Sequence, residues 1–139
     1  MLELSTRDKI NVIEDEMRKH PQVDLPLKHY FSPGVYAREL FIPAGTLLTG
    51  KIHKYMNLNI LSAGEMAVMT GDEMKRVKAP FTVVSPPGTK RIAYAFTDCV
   101  WTTILGTEET DPDLIEDKFT ASSEREYLEF VEQQKLLEG

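Results

Sequence analysis

The stretch GKIHKYMNLNILSAGEMAV, residues 50–68, contains the residues of this chain whose types and spacing could do chemistry. His53, Tyr55, Asn57 and Asn59 follow one another at intervals of two, and alternate residues of a β-strand share one face. Provided that no bulge intervenes, we expect these four side chains to point together. Imidazole, phenol and carboxamide groups donate and accept hydrogen bonds, and imidazole also binds metals. The pattern indicates one wall of a polar pocket.

The same alternation is typical of a strand that has one face in solvent, so two interpretations stay open. The polar residues here are His, Tyr and Asn, whereas solvated strands commonly carry Lys, Glu and Thr. A second segment, SPPGTKRIAYA at 85–95, predicts a tight turn followed by a strand with Arg91, Ala93 and Ala95 facing inward. Small residues beside an arginine leave room for a ligand, which favours the pocket.

Arg91 has two possible partners. It could pair with an acid of the barrel such as Glu65 or Asp98, or it could offer a bidentate cation to a carboxylate or phosphate. With an aromatic residue covering an apolar or planar face, the set suits a small anionic or nucleotide-like ligand. The residues that we expect to bind this ligand are His53, Tyr55, Asn57, Asn59, Arg91 and Trp101.

Composition places the chain among ordinary globular proteins. Its 139 residues suffice for one domain, and no apolar run approaches the roughly 20 residues that cross a bilayer. The N-terminus lacks an apolar signal core, and Cys99 is the only cysteine, which fits a reducing cytoplasm. Residues 108–138 carry eleven acids, so binding to a nucleic-acid polymer or a membrane is not expected.

The order of patterns along the chain predicts a helix, a β-barrel and a helical tail within one domain, 1–139. A helical stripe occupies 1–22, where Ser5 and Asp8 resemble a helix start. Short β-rich runs separated by Pro-Gly and Ala-Gly turns fill 25–107, and helical patterns fill 111–139. We expect strands near 35–42, 46–54, 57–62, 65–70, 74–78, 81–85, 91–96 and 99–106.

The two polar segments resemble the two short motifs of the cupin superfamily. In the first cupin motif a histidine-rich strand is followed by an acidic ligand and then a glycine, and Asn57 takes the acidic position if Gly64 is that glycine. The second motif reads Pro-x-Gly-x-x-His, and Pro86, Gly88 and Arg91 match it with arginine in place of histidine. The chain from PGVYARELFIPAGTLLTGKIHK to VWTTILGTEETD is also similar to small uncharacterised cupin-like proteins of tailed bacteriophages and bacteria.

This resemblance implies a mainly β fold, a jelly-roll barrel (double-stranded β-helix) with flanking N- and C-terminal helices. It also implies a metal held by two or three histidines and a glutamate, and here the sequence departs from the family. Only His53 remains, with His29 upstream as a further candidate, because an amide is a weak ligand and a guanidinium repels cations. No cofactor is therefore expected, and a divalent metal at His53 is disfavoured.

Three functional hypotheses follow. The first is a non-enzymatic cupin-like protein that binds a small anion, with an accessory or counter-defence role in the host cytoplasm if the source is a phage. The second is a metal-dependent isomerase or oxygenase that uses His53 and His29. The third is a structural protein without a ligand, for which sheet edges and apolar faces make a homodimer the expected state.

Overall fold

A computed structural model describes residues 6–22, 24–70 and 73–138 of the chain. Within these residues the fold is mainly β, with three helices around two larger antiparallel sheets and a short ribbon. The elements in chain order are α1 (Thr6–Met17), β1 (Leu27–Ser32), β2 (Val35–Ile42), β3 (Leu47–Thr49), β4 (Ile52–His53), β5 (Asn57–Ala63), β6 (Glu65–Thr70), β7 (Glu73–Lys78), β8 (Phe81–Ser85), β9 (Ile92–Ala95), β10 (Cys99–Gly106), α2 (Pro112–Phe119), β11 (Thr120–Ala121) and α3 (Glu124–Glu138).

The two larger sheets pack face to face as a jelly roll. One sheet has the strand order β1-β2-β10-β5-β8, and the other has the order β3-β9-β6-β7. Each contributes buried residues to a shared apolar core, in which Ile42 and Leu61 of the first sheet meet Met66 and Val68 of the second. The third pairing joins β4 to β11 and ties the C-terminal segment to the barrel.

Strand register arranges the inward side chains in layers, because directly opposed residues of antiparallel strands lie side by side. In the first sheet Thr103 of β10 lies opposite Arg38 of β2 and Asn59 of β5, which makes one layer polar. The next layer toward the core is apolar except for one indole nitrogen, and it consists of Leu40, Trp101 and Leu61. In the second sheet, Ala93 of β9 lies opposite both Leu48 of β3 and Val68 of β6, and these three residues form one layer.

Helix α1 packs on the barrel through one buried apolar residue and several polar contacts, which include an ion pair with Lys90 and a hydrogen bond from Arg7 to the Gly88 carbonyl. Ile10 is buried, and Glu14 accepts hydrogen bonds from Thr49 Oγ1 at 2.7 Å and from Lys90 Nζ at 3.0 Å. Burial alone would raise the pKa of Glu14, but these hydrogen bonds outweigh it and lower that pKa. The helix therefore holds the β8–β9 turn from outside, one residue away from Arg91.

Local capping signals account for the two C-terminal helices. Asp111 caps α2 by accepting the Asp113 N–H at 3.0 Å, and Pro112 occupies the first turn. At the start of α3 the Ser123 hydroxyl accepts the Glu126 N–H at 3.1 Å, as the predicted capping box requires. The reciprocal bond runs from the Ser122 N–H to Glu126, one residue earlier than in the standard box.

The expected mainly β fold with flanking helices is confirmed, but one expected strand is interrupted and two strands of the structure were not expected. The strand expected at 46–54 is interrupted, because the chain leaves the sheet after Thr49 and returns only at Ile52. Strands β1 and β11 lie outside every predicted strand. Ser5 of the expected helix start lies outside the described residues. No described helix has the length and apolar character needed to span a membrane.

Candidate functional site

A cavity of about 100 Å³ lies between the two sheets and is called the interior cavity below. Its apolar walls come from both sheets, and its polar groups gather at the end that is nearer to β4. The residues that line it are Arg38, Leu40, Ile42, Leu48, Gly50, Lys51, His53, Asn59, Met66, Val68, Arg91, Ala93, Trp101 and Thr103. The sequence prediction brought four of these together, namely His53, Asn59, Arg91 and Trp101.

Backbone hydrogen bonds hold His53 and Arg91 at the same end of the cavity. The His53 N–H donates to the Thr89 carbonyl at 3.0 Å, and the His53 carbonyl accepts the Gly88 N–H at 2.7 Å. One step along, the Gly50 N–H donates to the Arg91 carbonyl at 3.1 Å. These bonds join the turn that follows β8 to the β3–β4 segment, and they fix the backbone from which His53 and Arg91 extend. The Arg91 guanidinium lies 5.9 Å from the centroid of the Trp101 ring.

Gly88 is suited to this turn for two reasons. Its φ of +85° lies in a region that residues with a side chain rarely adopt. A Cβ at this position would lie 2.7 Å from the Tyr127 hydroxyl of α3, too close for real contact. The glycine of the second cupin-like motif therefore lets the turn sit beneath α3 while it holds the backbone of His53.

Asn59 is the centre of a buried hydrogen-bond network. Its amide nitrogen donates to Asn57 Oδ1 at 2.7 Å and to Ser85 Oγ at 2.6 Å, and its oxygen accepts from Thr103 Oγ1 at 2.8 Å. Asn57 donates in turn to the Tyr55 carbonyl at 3.2 Å. Both amide protons of Asn59 are therefore used within the protein, and only one lone pair remains for the cavity. The network links β5, β8 and β10 at the polar layer.

Two buried nitrogens of the site have no partner. Among the described residues, His53 Nδ1 and Arg91 Nε are the side-chain atoms buried away from solvent without a hydrogen bond. No acid is among the described residues that line the interior cavity. The acids proposed from the sequence as partners of Arg91 are engaged elsewhere, because Glu65 pairs with Arg76 at 2.6 Å and Asp98 accepts the Ala44 N–H at 2.9 Å.

The electrostatics of the site follow from this excess of positive charge. Burial, with help from the charges of Arg91 and Arg38, lowers the pKa of His53 from 6.5 to about 4. Burial also lowers the pKa of Arg91. The imidazole is therefore neutral at neutral pH and carries one N–H, while the two guanidinium groups supply positive charge without a counterion in the cavity.

Tyr55 and Asn57 do not line the interior cavity, which corrects the expectation of one continuous polar face. The chain bends at residues 54–56 between β4 and β5, so the alternation does not run through. Tyr55 turns away and packs edge-on against Phe119 and Phe130, each at 5.3 Å between centroids. Asn57 is buried within the network of Asn59. Both residues support the site from outside it.

The interior cavity adjoins a surface groove of about 680 Å³, called the entrance groove below. The two spaces share Arg38, Leu40, Leu48, Gly50, Lys51 and His53. At the rim, Lys51 pairs with Glu116 of α2 at 2.7 Å, and this bond lowers the pKa of Glu116. Arg38 also lines the groove and makes no ion pair within the part of the chain described here. The groove therefore reaches the polar layer from the outside of the barrel.

A second chamber of about 140 Å³ lies on the other side of the polar layer. It shares Arg38, His53 and Thr103 with the interior cavity. His29 faces this chamber from the edge strand β1, where its Nδ1 lies 2.6 Å from the hydroxyl of buried Tyr36. His29 is therefore separated from the interior cavity by the polar layer.

The residues present do not fit a divalent metal. His53 offers one imidazole and Asn59 one amide lone pair, and two guanidinium groups face the same space. Within residues 6–22, 24–70 and 73–138, no three His, Cys, Asp or Glu side chains gather as a ligand set would require. We derive no metal-dependent step for this site.

Sequence reasoning missed Arg38 and Thr103. The signal for Arg38 is present in VYARELFI, where Tyr36, Leu40 and Ile42 alternate with outward residues and place Arg38 in the inward row. An arginine between apolar residues of the same row is an unusual choice for a strand buried on that face. Thr103 carries no such signal, because threonine is common on either face of a strand.

Comparison of the sequence with protein-family models and with curated proteins gives no match. The structure is similar to KdgF from Halomonas sp., with a TM-score of 0.54 and 17% identity over 70% of this chain and 94% of that one. It is also similar to an RmlC-like cupin from Shewanella frigidimarina, with a TM-score of 0.53 and 16% identity over 65% of this chain and 80% of that one. An acetylacetone dioxygenase from Acinetobacter johnsonii gives a TM-score of 0.51 and 15% identity over 61% of each chain.

Proposed function

Because the chain has the cupin fold but a cavity of positive charge where a metal-ligand set would lie, we propose that it is a non-enzymatic protein that binds a small anion. The ligand enters through the entrance groove and places its charge at the polar layer. Arg38 and Arg91 supply the charge, and His53 supplies one hydrogen-bond donor. Trp101 forms the wall beside Arg91.

The observation that supports this proposal is the buried Arg91 Nε without a partner. Burying a charge costs several kcal/mol unless a counterion and hydrogen bonds compensate it, and an unpaired buried N–H costs about 1–3 kcal/mol. The acids nearby pair with other residues, so the protein does not supply this compensation itself. A bound carboxylate or phosphate would accept from Arg91 in the bidentate manner that guanidinium groups favour.

An accessory or counter-defence role in phage infection rests on the sequence resemblance and stays a prediction. A homodimer, expected from sheet edges and apolar faces, also stays a prediction, and a nucleotide-like ligand is one of the anions to be tested. Native mass spectrometry of the untagged protein tests the dimer directly. Elemental analysis of the same sample tests the alternative of a metal-dependent enzyme, since a metal bound at one equivalent would contradict the proposal.

The central test is retention of a small molecule. We expect native mass spectrometry after incubation with a metabolite pool to show a bound anion that is lost on gentle collisional activation. The Arg91→Met variant keeps the length of the side chain, removes the charge, and should lose the adduct. Arg125→Met is the matched control, because the Arg125 side chain is 90% exposed on α3. Equal adducts in wild type and Arg91→Met would contradict the proposal.

A further inference from the structure

We propose that the ligand is a monocarboxylic acid with a compact apolar body, of about the size of a branched five-carbon acid. This inference rests on the proposed function and narrows the class of anion. The carboxylate occupies the polar layer, and the apolar body extends toward the core between the two sheets. Phosphate, phosphate esters and nucleotides are disfavoured by the same geometry.

The chemistry of the cavity changes from charged to apolar within one layer of residues. Along β2 the inward side chains are Arg38, Leu40 and Ile42, from the entrance toward the core. Below the polar layer the lining side chains are Leu40, Ile42, Leu48, Met66, Val68, Ala93 and the ring of Trp101. Four of these, Ile42, Met66, Val68 and Ala93, belong to the buried apolar core. A ligand that fills the space must be charged at one end and apolar at the other.

The hydrogen-bond donors lie at one end of the interior cavity, which fits a carboxylate better than a phosphate. Arg91 Nε has no partner among the described residues, the exposed Arg38 also lines this end, and neutral His53 adds one N–H. The amide protons of Asn59 are used on Asn57 and Ser85, and the Thr103 hydroxyl donates to Asn59. A carboxylate needs donors on one side only, whereas a phosphate would turn further oxygens toward the apolar walls. Leaving such oxygens unpaired costs about 1–3 kcal/mol each.

The volume of the interior cavity sets the size of the apolar body. An apolar cavity of about 150 Å³ accommodates benzene, so the same space per carbon atom gives roughly four carbons in the interior cavity. Its volume is about 100 Å³. A nucleotide exceeds this several times over. The isobutyl group of 3-methylbutanoate therefore fills the interior cavity, and its carboxylate lies at the mouth, where Arg38 and His53 line both the cavity and the entrance groove.

The test compares four probes by isothermal titration calorimetry at pH 7. We expect 3-methylbutanoate to bind, and its uncharged isostere 3-methylbutanamide to bind at least about tenfold more weakly, because charge-assisted hydrogen bonds are roughly twice as strong as neutral ones. Inorganic phosphate and adenosine 5′-monophosphate should bind more weakly than the acid. Phosphate or the nucleotide binding more tightly than the acid would overturn this inference and leave the proposed function standing.

Two other outcomes have different consequences. Equal affinity for the acid and the amide would remove charge recognition and overturn both proposals. No binding by any probe would overturn this inference alone, because the adduct that Arg91→Met should lose tests the proposed function. A substitution then tests the position of the apolar body, because Leu48→Ala removes side-chain volume from the apolar wall below the polar layer, on the side that adjoins the entrance groove. This variant should shift the preference from 3-methylbutanoate toward 5-methylhexanoate at least about fivefold, given about 0.8 kcal/mol per buried methylene.

Leu128→Ala is the matched control for Leu48→Ala, because Leu128 is 55% exposed on α3 and lies outside the interior cavity. It should leave the ratio of the affinities for 3-methylbutanoate and 5-methylhexanoate unchanged. The size inference is wrong if Leu48→Ala leaves that ratio unchanged, or if both variants shift it equally. Urea unfolding of each variant confirms that the comparison is made between folded proteins.

Discussion

His53 and Arg91 face one cavity, and each keeps a buried nitrogen without a partner among the described residues. They are brought together by the backbone bonds between the β3–β4 segment and the turn at 88–91. A neutral imidazole beside a buried guanidinium is a consequence of this placement, because the desolvated site admits a second positive charge only at high cost. Four predictions, independent of the identity of any ligand, follow from the contacts around this pair.

The free energy of unfolding should decrease as the pH is lowered, because folding disfavours protonation of His53. The folded-state pKa is about 4 and the unfolded value is 6.5, so the unfolded chain takes up the proton first as the pH falls. The stability gained from neutral His53 is complete above pH 6.5 and is lost toward pH 4. We expect wild type to lose about 2 kcal/mol more than His53→Gln between pH 7 and pH 4.5 in urea unfolding. His20→Gln is the control, since the His20 side chain is 67% exposed; equal losses in wild type and His53→Gln would contradict the prediction.

Asn59→Ala should destabilise the barrel strongly. The substitution removes three hydrogen bonds and leaves Thr103, Ser85 and Asn57 with unsatisfied buried groups. The expected loss in the free energy of unfolding is about 2–4 kcal/mol, measured by urea titration. Ser62→Ala, on the exposed end of the same strand, should change it by less than about 0.5 kcal/mol. Similar losses for the two variants would show that the network contributes little.

Glu14→Gln should loosen helix α1. Lys90, whose side chain is 5% exposed, would keep a desolvated ammonium without its ion-pair partner. We expect a loss of roughly 2 kcal/mol in urea unfolding, below the 3–5 kcal/mol typical of fully buried pairs because Glu14 is partly exposed. Glu16→Gln on the same helix breaks only exposed pairs and should cost less than about 0.5 kcal/mol. Equal effects of the two substitutions would rule out a docking role for Glu14.

Tyr55→Ala should weaken the attachment of α3 without opening the barrel. The ring of Tyr55 contacts Phe119 and Phe130, and each aromatic pair is worth about 0.5–1.5 kcal/mol. Hydrogen exchange across 124–138 should therefore accelerate by at least about fivefold, while exchange in β5 and β10 stays unchanged. Tyr30→Ala, which removes a 50% exposed ring from β1, should leave α3 protected as in wild type. Unchanged exchange in α3 would place Tyr55 outside its docking surface.

Much of the fold was predictable because turn residues delimit its strands. Seven of the eight expected strands match a single strand of the structure to within one residue at each end. Strand β1 was not predictable from alternation, because all six residues of LKHYFS are exposed on the edge of the sheet. Strand β11 has two residues, too few for any periodic signal. Strand β1 pairs with its neighbour β2 across a tight turn, whereas β11 pairs with β4, which lies far away in the chain.

The site was predictable only where inward and outward side chains alternate along a strand without a break. Arg91 and Trp101 were placed at the cavity from short segments in which alternate residues face inward. Tyr55 was misplaced because two strands were treated as one, and the bend at 54–56 depends on the tertiary pairing of β4 with β11. The partners of Asn59 come from β8 and β10, so no local pattern reveals that its amide is already satisfied.

The β4–β11 ribbon makes the C-terminal segment part of the architecture of the candidate site. Thr120 pairs with His53 and Ala121 with Ile52, and the Lys54 N–H donates to the Phe119 carbonyl at 2.8 Å. The barrel strands finish at Gly106, which makes that residue an attractive boundary for a shortened expression clone. A clone that stops there would lack the strand that anchors the imidazole. The smallest fragment that preserves the candidate site therefore extends past Ala121.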